Sequence, residues 1–121
     1  MIPTEPIGSI PRPLALLETI TAFEERRCSQ SAMDTAYDVA LHETVAELEA
    51  TGSPVITDGE QAKPSFATYP IHGLQNLDTN GLIISFADGH QRRLPRLTAG
   101  PFRYRTYADR YLQAAKRYAQ V

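Results

Sequence analysis

Leu48-Glu49-Ala50-Thr51-Gly52-Ser53-Pro54-Val55-Ile56-Thr57-Asp58-Gly59-Glu60 is the stretch on which the fold turns. Its first part closes an apolar-periodic segment on Gly52, which suits the left-handed position just past a helix, and Pro54 forbids continuation. Residues 54–57 then read as a short apolar strand that runs straight into an acidic loop, Asp58-Gly59-Glu60. Helix, glycine, strand, polar loop in that order is an α/β unit.

Working upstream, Tyr37, Leu41, Val45 and Leu48 recur at helical spacing, and Asp38, His42, Glu43, Glu47 and Glu49 take the other sides. Ser31 is expected to cap this helix, with Asp34 in its first turn, where the helix dipole favours a negative charge. Further back, Leu14, Leu17, Ile20 and Phe23 mark an earlier helix with Pro13 as its first residue and residues 24–27 as a charged end. The four prolines between Pro3 and Pro13 make the opening an extended chain whose one strand-like piece is Ile7-Gly8-Ser9-Ile10. Downstream, Asn80-Gly81 and Asp88-Gly89 bracket Leu82-Ile83-Ile84-Ser85-Phe86-Ala87, so a small antiparallel meander is expected within about residues 69–101. A last helix should start at Thr106 and line up Tyr107, Tyr111, Ala114, Ala115 and Tyr118.

Composition bounds the function. A chain of 121 residues, 42% hydrophobic and 21% charged, suits one globular domain spanning 1–121 and argues against wholesale disorder. No apolar run approaches the roughly 20 residues that cross a bilayer, and the N-terminus lacks the pattern of a secretory signal. A lone Cys28 excludes an internal disulfide framework and fits a reducing compartment, so a cytoplasmic protein is expected. Net charge of −2 hides a division: residues 1–60 hold three basic against eleven acidic groups, and residues 61–121 nine basic against three acidic. This polarity fits either an anion-binding half or two halves that face each other.

Chemistry points first to the loop after the strand, because ligands in α/β proteins sit beyond the C-terminal ends of strands. Asp58 and Glu60 flank Gly59 and could hold a substrate ammonium or a proton, or simply cap an acidic turn. Ile7-Gly8-Ser9 is the second candidate, a close backbone approach with a hydroxyl beside it. Cys28, His42, His72 and His90 show none of the paired spacings of zinc sites. The arginines and aromatics between Arg92 and Tyr111 have the composition of a nucleic-acid groove, but the acidic half and a pI of about 5.9 argue against that partner.

Taken together, Glu5-Pro6-Ile7-Gly8-Ser9-Ile10-Pro11-Arg12 and the stretch from Leu48 to Glu60 resemble the opening of the catalytic barrel of cobalamin-independent methionine synthases. Lys63-Pro64-Ser65-Phe66-Ala67-Thr68-Tyr69-Pro70-Ile71 and Leu97-Thr98-Ala99-Gly100-Pro101-Phe102 are similar to single-barrel relatives of that family. The resemblance implies an incomplete (β/α)8 TIM-barrel fragment with an inserted antiparallel hairpin or meander. It further implies alkyl transfer to a zinc-held thiol, with homocysteine as the type of acceptor and a folate-like methyl donor. Ile7, Gly8 and Ser9 would contact the amino-acid backbone of the thiol substrate, and Glu60 its ammonium. Asp58 stands where that family usually has His. The family's arginine contact to folate falls near His90, Arg92 and Arg93.

The family's zinc ligands, a His, two Cys and a Glu, sit on later strands and have no counterpart here, so this polypeptide is expected to be inactive alone. Two parallel strands cannot close a barrel, so oligomerisation, or pairing with the remainder of a barrel, is expected. The competing expectation is a non-catalytic interaction module that buries its open edge against another copy.

Overall fold

The computed structural model describes Ile2 and residues 4–121, which leaves Pro3 and its expected extended conformation outside the described residues. The chain divides into two compact units. One takes the chain up to Lys63 together with Asp109–Val121, and the other is Pro64–Ala108.

Helix α1 (Leu14–Glu24) and helix α2 (Gln30–Ala50) build the core of the first unit. Leu16, Met33 and Ala40 form a buried cluster, with Ile20, Ala36 and Tyr37 packed against it. Along α2 the buried residues are Met33, Ala40, Leu41, Thr44 and Val45, the wide stripe expected of a helix lying on a core. The stripe contains the expected Leu41 and Val45. On α1 the expected helix forms, but of the expected residues only Ile20 packs on the cluster: Leu16 is buried, whereas Leu14, Leu17 and Phe23 are exposed. Two apolar faces overlap on this short helix, and periodicity alone does not say which of them meets α2.

Helix ends depart by one or two residues. Pro13 is the residue before the first helical turn of α1, and not its first member. Ser29, not Ser31, caps α2, its hydroxyl accepting a hydrogen bond from the Ala32 N–H at 3.1 Å. Asp34 is a full turn inside the helix, where its carboxylate accepts from the Gln30 side chain at 2.8 Å. Gly52 sits just beyond the end of α2 with a φ of +77°, as its place in the sequence predicts.

The two expected parallel strands are corrected. Residues 7–10 and 54–57 are not paired as strands. One backbone hydrogen bond, Ile10 N–H to Gly59 C=O at 3.0 Å, bridges these regions. Pro6, Pro11 and Pro54 have no N–H with which to extend a ladder there. The architecture is mixed helix and small antiparallel sheet.

In the second unit the expected meander is a single long hairpin. Strands β1 (Leu77–Asp78) and β4 (Arg96–Leu97) pair antiparallel, as do β2 (Ile83–Ser85) and β3 (Gln91–Arg93). Asp88-Gly89 makes the turn between β2 and β3 as expected. Asn80-Gly81 makes no second turn, because β1 and β2 do not pair with each other. Residues 79–82 intervene on the outgoing arm against only 94 and 95 on the return, so the outgoing arm bulges. Gly81 is needed at that bulge for room: a Cβ there would lie 2.2 Å from the Leu94 carbonyl oxygen. No residue of this unit is fully buried.

Helix α3 (Asp109–Lys116) begins three residues after the expected Thr106, and Tyr107 is exposed. Of the expected tyrosine face, Tyr111 is buried. Just past the helix, Tyr118 donates its hydroxyl proton to Asp38 on α2, and Arg117 pairs with the same carboxylate at 3.0 Å. The Tyr118 ring also lies 4.7 Å from that of His42.

The bond to Asp38 raises the Tyr118 pKa above its ordinary value of 10.0, helped by burial and by the Asp38 charge and opposed by Arg117. Burial chiefly does the same to Tyr37. A folded-state pKa above the unfolded one gives stabilisation that is complete below pH of about 10 and fades as pH climbs through the folded value. Chemical denaturation followed between pH of about 8 and 11 should therefore show a fall at the alkaline end. The fall should be shallower in Tyr118→Phe, and an identical slope in the two proteins would contradict the assignment.

Candidate functional site

The two stretches singled out in the sequence, 49 residues apart, meet in the first unit. Thr57 donates its hydroxyl proton to the Gly8 carbonyl at 3.1 Å and accepts from the Gly59 N–H at 3.2 Å. Asp58 bends the loop by accepting the Glu60 N–H on Oδ1 at 2.9 Å. Gly59 and Glu60 both lie in the left-handed region, with φ of +61° and +56°. For Glu60 that conformation is unfavourable, and a non-glycine residue held there marks a position that its surroundings over-determine.

Those surroundings are Gln61 and Arg12. Gln61 is completely buried, and its Nε2 donates to the Ile10 carbonyl at 3.1 Å. Its Oε1 is buried without a hydrogen-bond partner among the described residues. From the end of the proline-rich opening, the Arg12 guanidinium donates from Nε to the Gln61 carbonyl at 3.1 Å. Its Nη2 reaches the carbonyls of Glu60, at 3.4 Å, and Lys63. One planar cation thus gathers three carbonyls of the loop, a task suited to a rigid fork of donors.

The side chains above this scaffold carry charge. Lys63 Nζ lies 3.9 Å from Asp58 Oδ2 and 3.9 Å from Glu60 Oε1, and these three side chains are only 17%, 16% and 27% exposed. The same ammonium stands 5.4 Å from the centre of the Tyr111 ring. Asp58 and Glu60 are therefore brought together as the sequence suggested, but around a cation of the chain itself. Ile7 and Ser9 of the opening segment are exposed, and Gly8 between them supplies the carbonyl that Thr57 binds.

Arg12, Gln61, Lys63, Thr57 and Thr44 had no place among the sequence-based site residues. Arg12 and Lys63 lie inside the motifs quoted above, which was the available signal. Nothing local marks Gln61 as buried.

His90, Arg92 and Arg93 belong to the other unit, on and beside the β2–β3 hairpin. His90 contacts Asp88 and stacks on Phe86 with ring centres 4.3 Å apart. Arg93 donates to Asn80 at 2.8 Å, Arg96 pairs with Asp78 at 3.1 Å, and Arg105 donates to the Gly73 carbonyl. These guanidiniums serve the hairpin and its neighbouring loops.

A divalent metal does not fit the acidic pair, because the Lys63 ammonium stands between the carboxylates. Among the described residues no group of three or more His, Cys, Asp or Glu is placed to hold a metal ion. Nor, among the described residues, is any helix long and apolar enough to cross a membrane.

Compared with known proteins, the chain is similar to a methionine synthase of Sulfolobus acidocaldarius. The two are 30% identical over 104 residues, which make up 86% of this chain and 30% of that protein. The relationship is distant. The chain spans less than a third of the length of this curated relative. No family model matches the chain, and no solved structure does.

Proposed function

We propose that this chain supplies the amino-thiol-binding opening of a methionine-synthase-like alkyltransferase, equivalent to the segments that begin its catalytic domain and the hairpin inserted after them. The reading is carried by the joining of the Gly8 and Gly59 loops through Thr57 and Ile10, the two places where the resemblance puts thiol-substrate contacts. Similarity to a methionine synthase along 86% of the chain supports the same assignment. In this reading the backbone around Ile7, Gly8 and Ser9 positions the amino-acid part of a homocysteine-like thiol. Glu60 receives its ammonium, and Asp58 holds the Glu60 backbone in place. Zinc, which in the resembling family activates the thiol, has no ligand set in these residues, and no step of the chemistry is assigned to this chain.

Binding of L-homocysteine to the 121-residue chain, followed by amide chemical shifts, tests the proposal. Shifts should centre on residues 8–10 and 57–63. Glu60→Gln, which keeps the shape and removes the charge, should weaken binding at least about tenfold, the usual worth of a charged hydrogen bond. Absence of any homocysteine-dependent shift, or equal affinity in Glu60→Gln, would overturn it.

A second reading rests on apolar side chains that the first unit leaves exposed, Leu14, Leu17 and Phe23 on α1 and Ile7 and Val55 elsewhere. Such surface suits association with a partner. Light scattering that gives a monomer at all concentrations would count against it.

A further inference from the structure

We infer that the β2–β3 hairpin docks through its Ile84 face on the outer stripe of α1 in a second copy of this chain. The inference rests on the second reading above, association through the apolar side chains that the first unit leaves exposed, and names the partner. Register puts Ile84 directly opposite Arg92, and cross-strand partners share a face. Hydrogen bonds from the Leu94 N–H to the Leu82 carbonyl at 2.7 Å and from the Phe86 N–H to the His90 carbonyl at 2.9 Å continue the ladder at both ends. Strand alternation therefore sets Leu82 and Phe86 beside Ile84 on that face, and all three are exposed, Leu82 by 65%. A two-stranded hairpin is marginal in water and gains stability by packing against a helix or further strands.

Charge decides which kind of helix face fits. The unit that holds the hairpin, Pro64–Ala108, has five arginines and two carboxylates. Both carboxylates are engaged within it, Asp78 by Arg96 and Asp88 by His90. The exposed Arg92 side chain has no partner among the described residues. The complementary surface is therefore an apolar one flanked by carboxylates. On α1, Leu14, Leu17, Glu18, Thr21 and Glu24 form such a surface. They follow at i, i+3, i+4, i+7 and i+10, all are exposed, and they lie away from Leu16, which packs on α2. Neither Glu18 nor Glu24 is in an ion pair among the described residues. Docking would lay the leucines on the Ile84 face and bring the two carboxylates to Arg92. Both surfaces stay exposed within the chain, so a second copy offers each of them its complement.

Charge reversal tests the contact with two whole-chain variants, Arg92→Glu and the double substitution Glu18→Arg with Glu24→Arg. All three positions are exposed, and circular dichroism confirms that the variants keep the wild-type fold. Sedimentation over a concentration series should show the wild-type chain associating. Each variant alone sets like charges against one another and should associate at least about tenfold more weakly. An equimolar mixture of the two should return to within about threefold of wild type, because each hairpin then finds an α1 of opposite charge on the other variant. Equal association of wild type and both variants, or a mixture no stronger than its components, would rule out the hairpin–α1 contact and leave the second reading standing. A wild-type chain that is monomeric at every concentration would remove both.

Discussion

Gly59→Ala should cost about 2–5 kcal/mol of folding stability. The estimate combines roughly 1–2 kcal/mol for a side chain forced into left-handed backbone with 1–3 kcal/mol for overpacking. The new Cβ would stand 2.8 Å from Thr44 Cγ2 and 3.4 Å from both Ile10 Cβ and Gln61 Nε2. Thr44 is buried in the middle of α2 and cannot turn its methyl group aside freely, because a β-branched side chain in a helix has few rotamers. The loss will appear as a lower denaturant midpoint with unchanged slope. Thr44→Ala in the same chain removes the offending methyl and should return the packing part but not the backbone part. The two substitutions will then be non-additive, with a coupling of about 1 kcal/mol or more in a double-mutant cycle. Full additivity would mean that the loop shifts to make room and that its contact with α2 is not a tight one.

The second large effect belongs to Arg12. Arg12→Ala strips the Gln61, Glu60 and Lys63 carbonyls of their common donor and should cost about 2–3 kcal/mol, as expected when partly buried groups lose hydrogen bonds to a charged partner. Arg12→Lys should recover less than half of this, since one ammonium cannot span three carbonyls in the geometry of the guanidinium fork. Hydrogen exchange will show where the loss falls. Amides of Glu60, Gln61 and Lys63 should lose protection first, whereas those of the α2 interior should follow global unfolding. A cost below about 0.5 kcal/mol would show that the carbonyls find water as readily as the arginine.

These two residues mark the boundary of what could be read from the chain. Gly59 stood in the quoted motif, flanked by the carboxylates, yet its need to be glycine comes from Thr44, fifteen residues earlier on a helix. Arg12 closed the first motif, yet its partners are 48 to 51 residues away. Helix α1 makes the same point, for its pattern offered two faces and only contact with α2 selected Leu16 over Leu14 and Leu17. The hairpin gives a third case. Asn80-Gly81 has the local chemistry of a turn, but close approach of the returning strand at Leu94 and Pro95 uses its glycine differently.

The sequence by itself determined the helices, the C-terminal glycine of α2, the hairpin turn at Asp88-Gly89, and the pair of motifs in which the candidate site lies. Those features depend on neighbours within a few residues, through helical spacing, capping and turn conformation. Only the tertiary structure decided that the two motifs join through Thr57 and Ile10 without a strand ladder, and that Gln61 is buried beneath the loop. It alone placed Lys63 between Asp58 and Glu60. Such pairings depend on packing between segments distant in the chain, and local pattern carries no record of it.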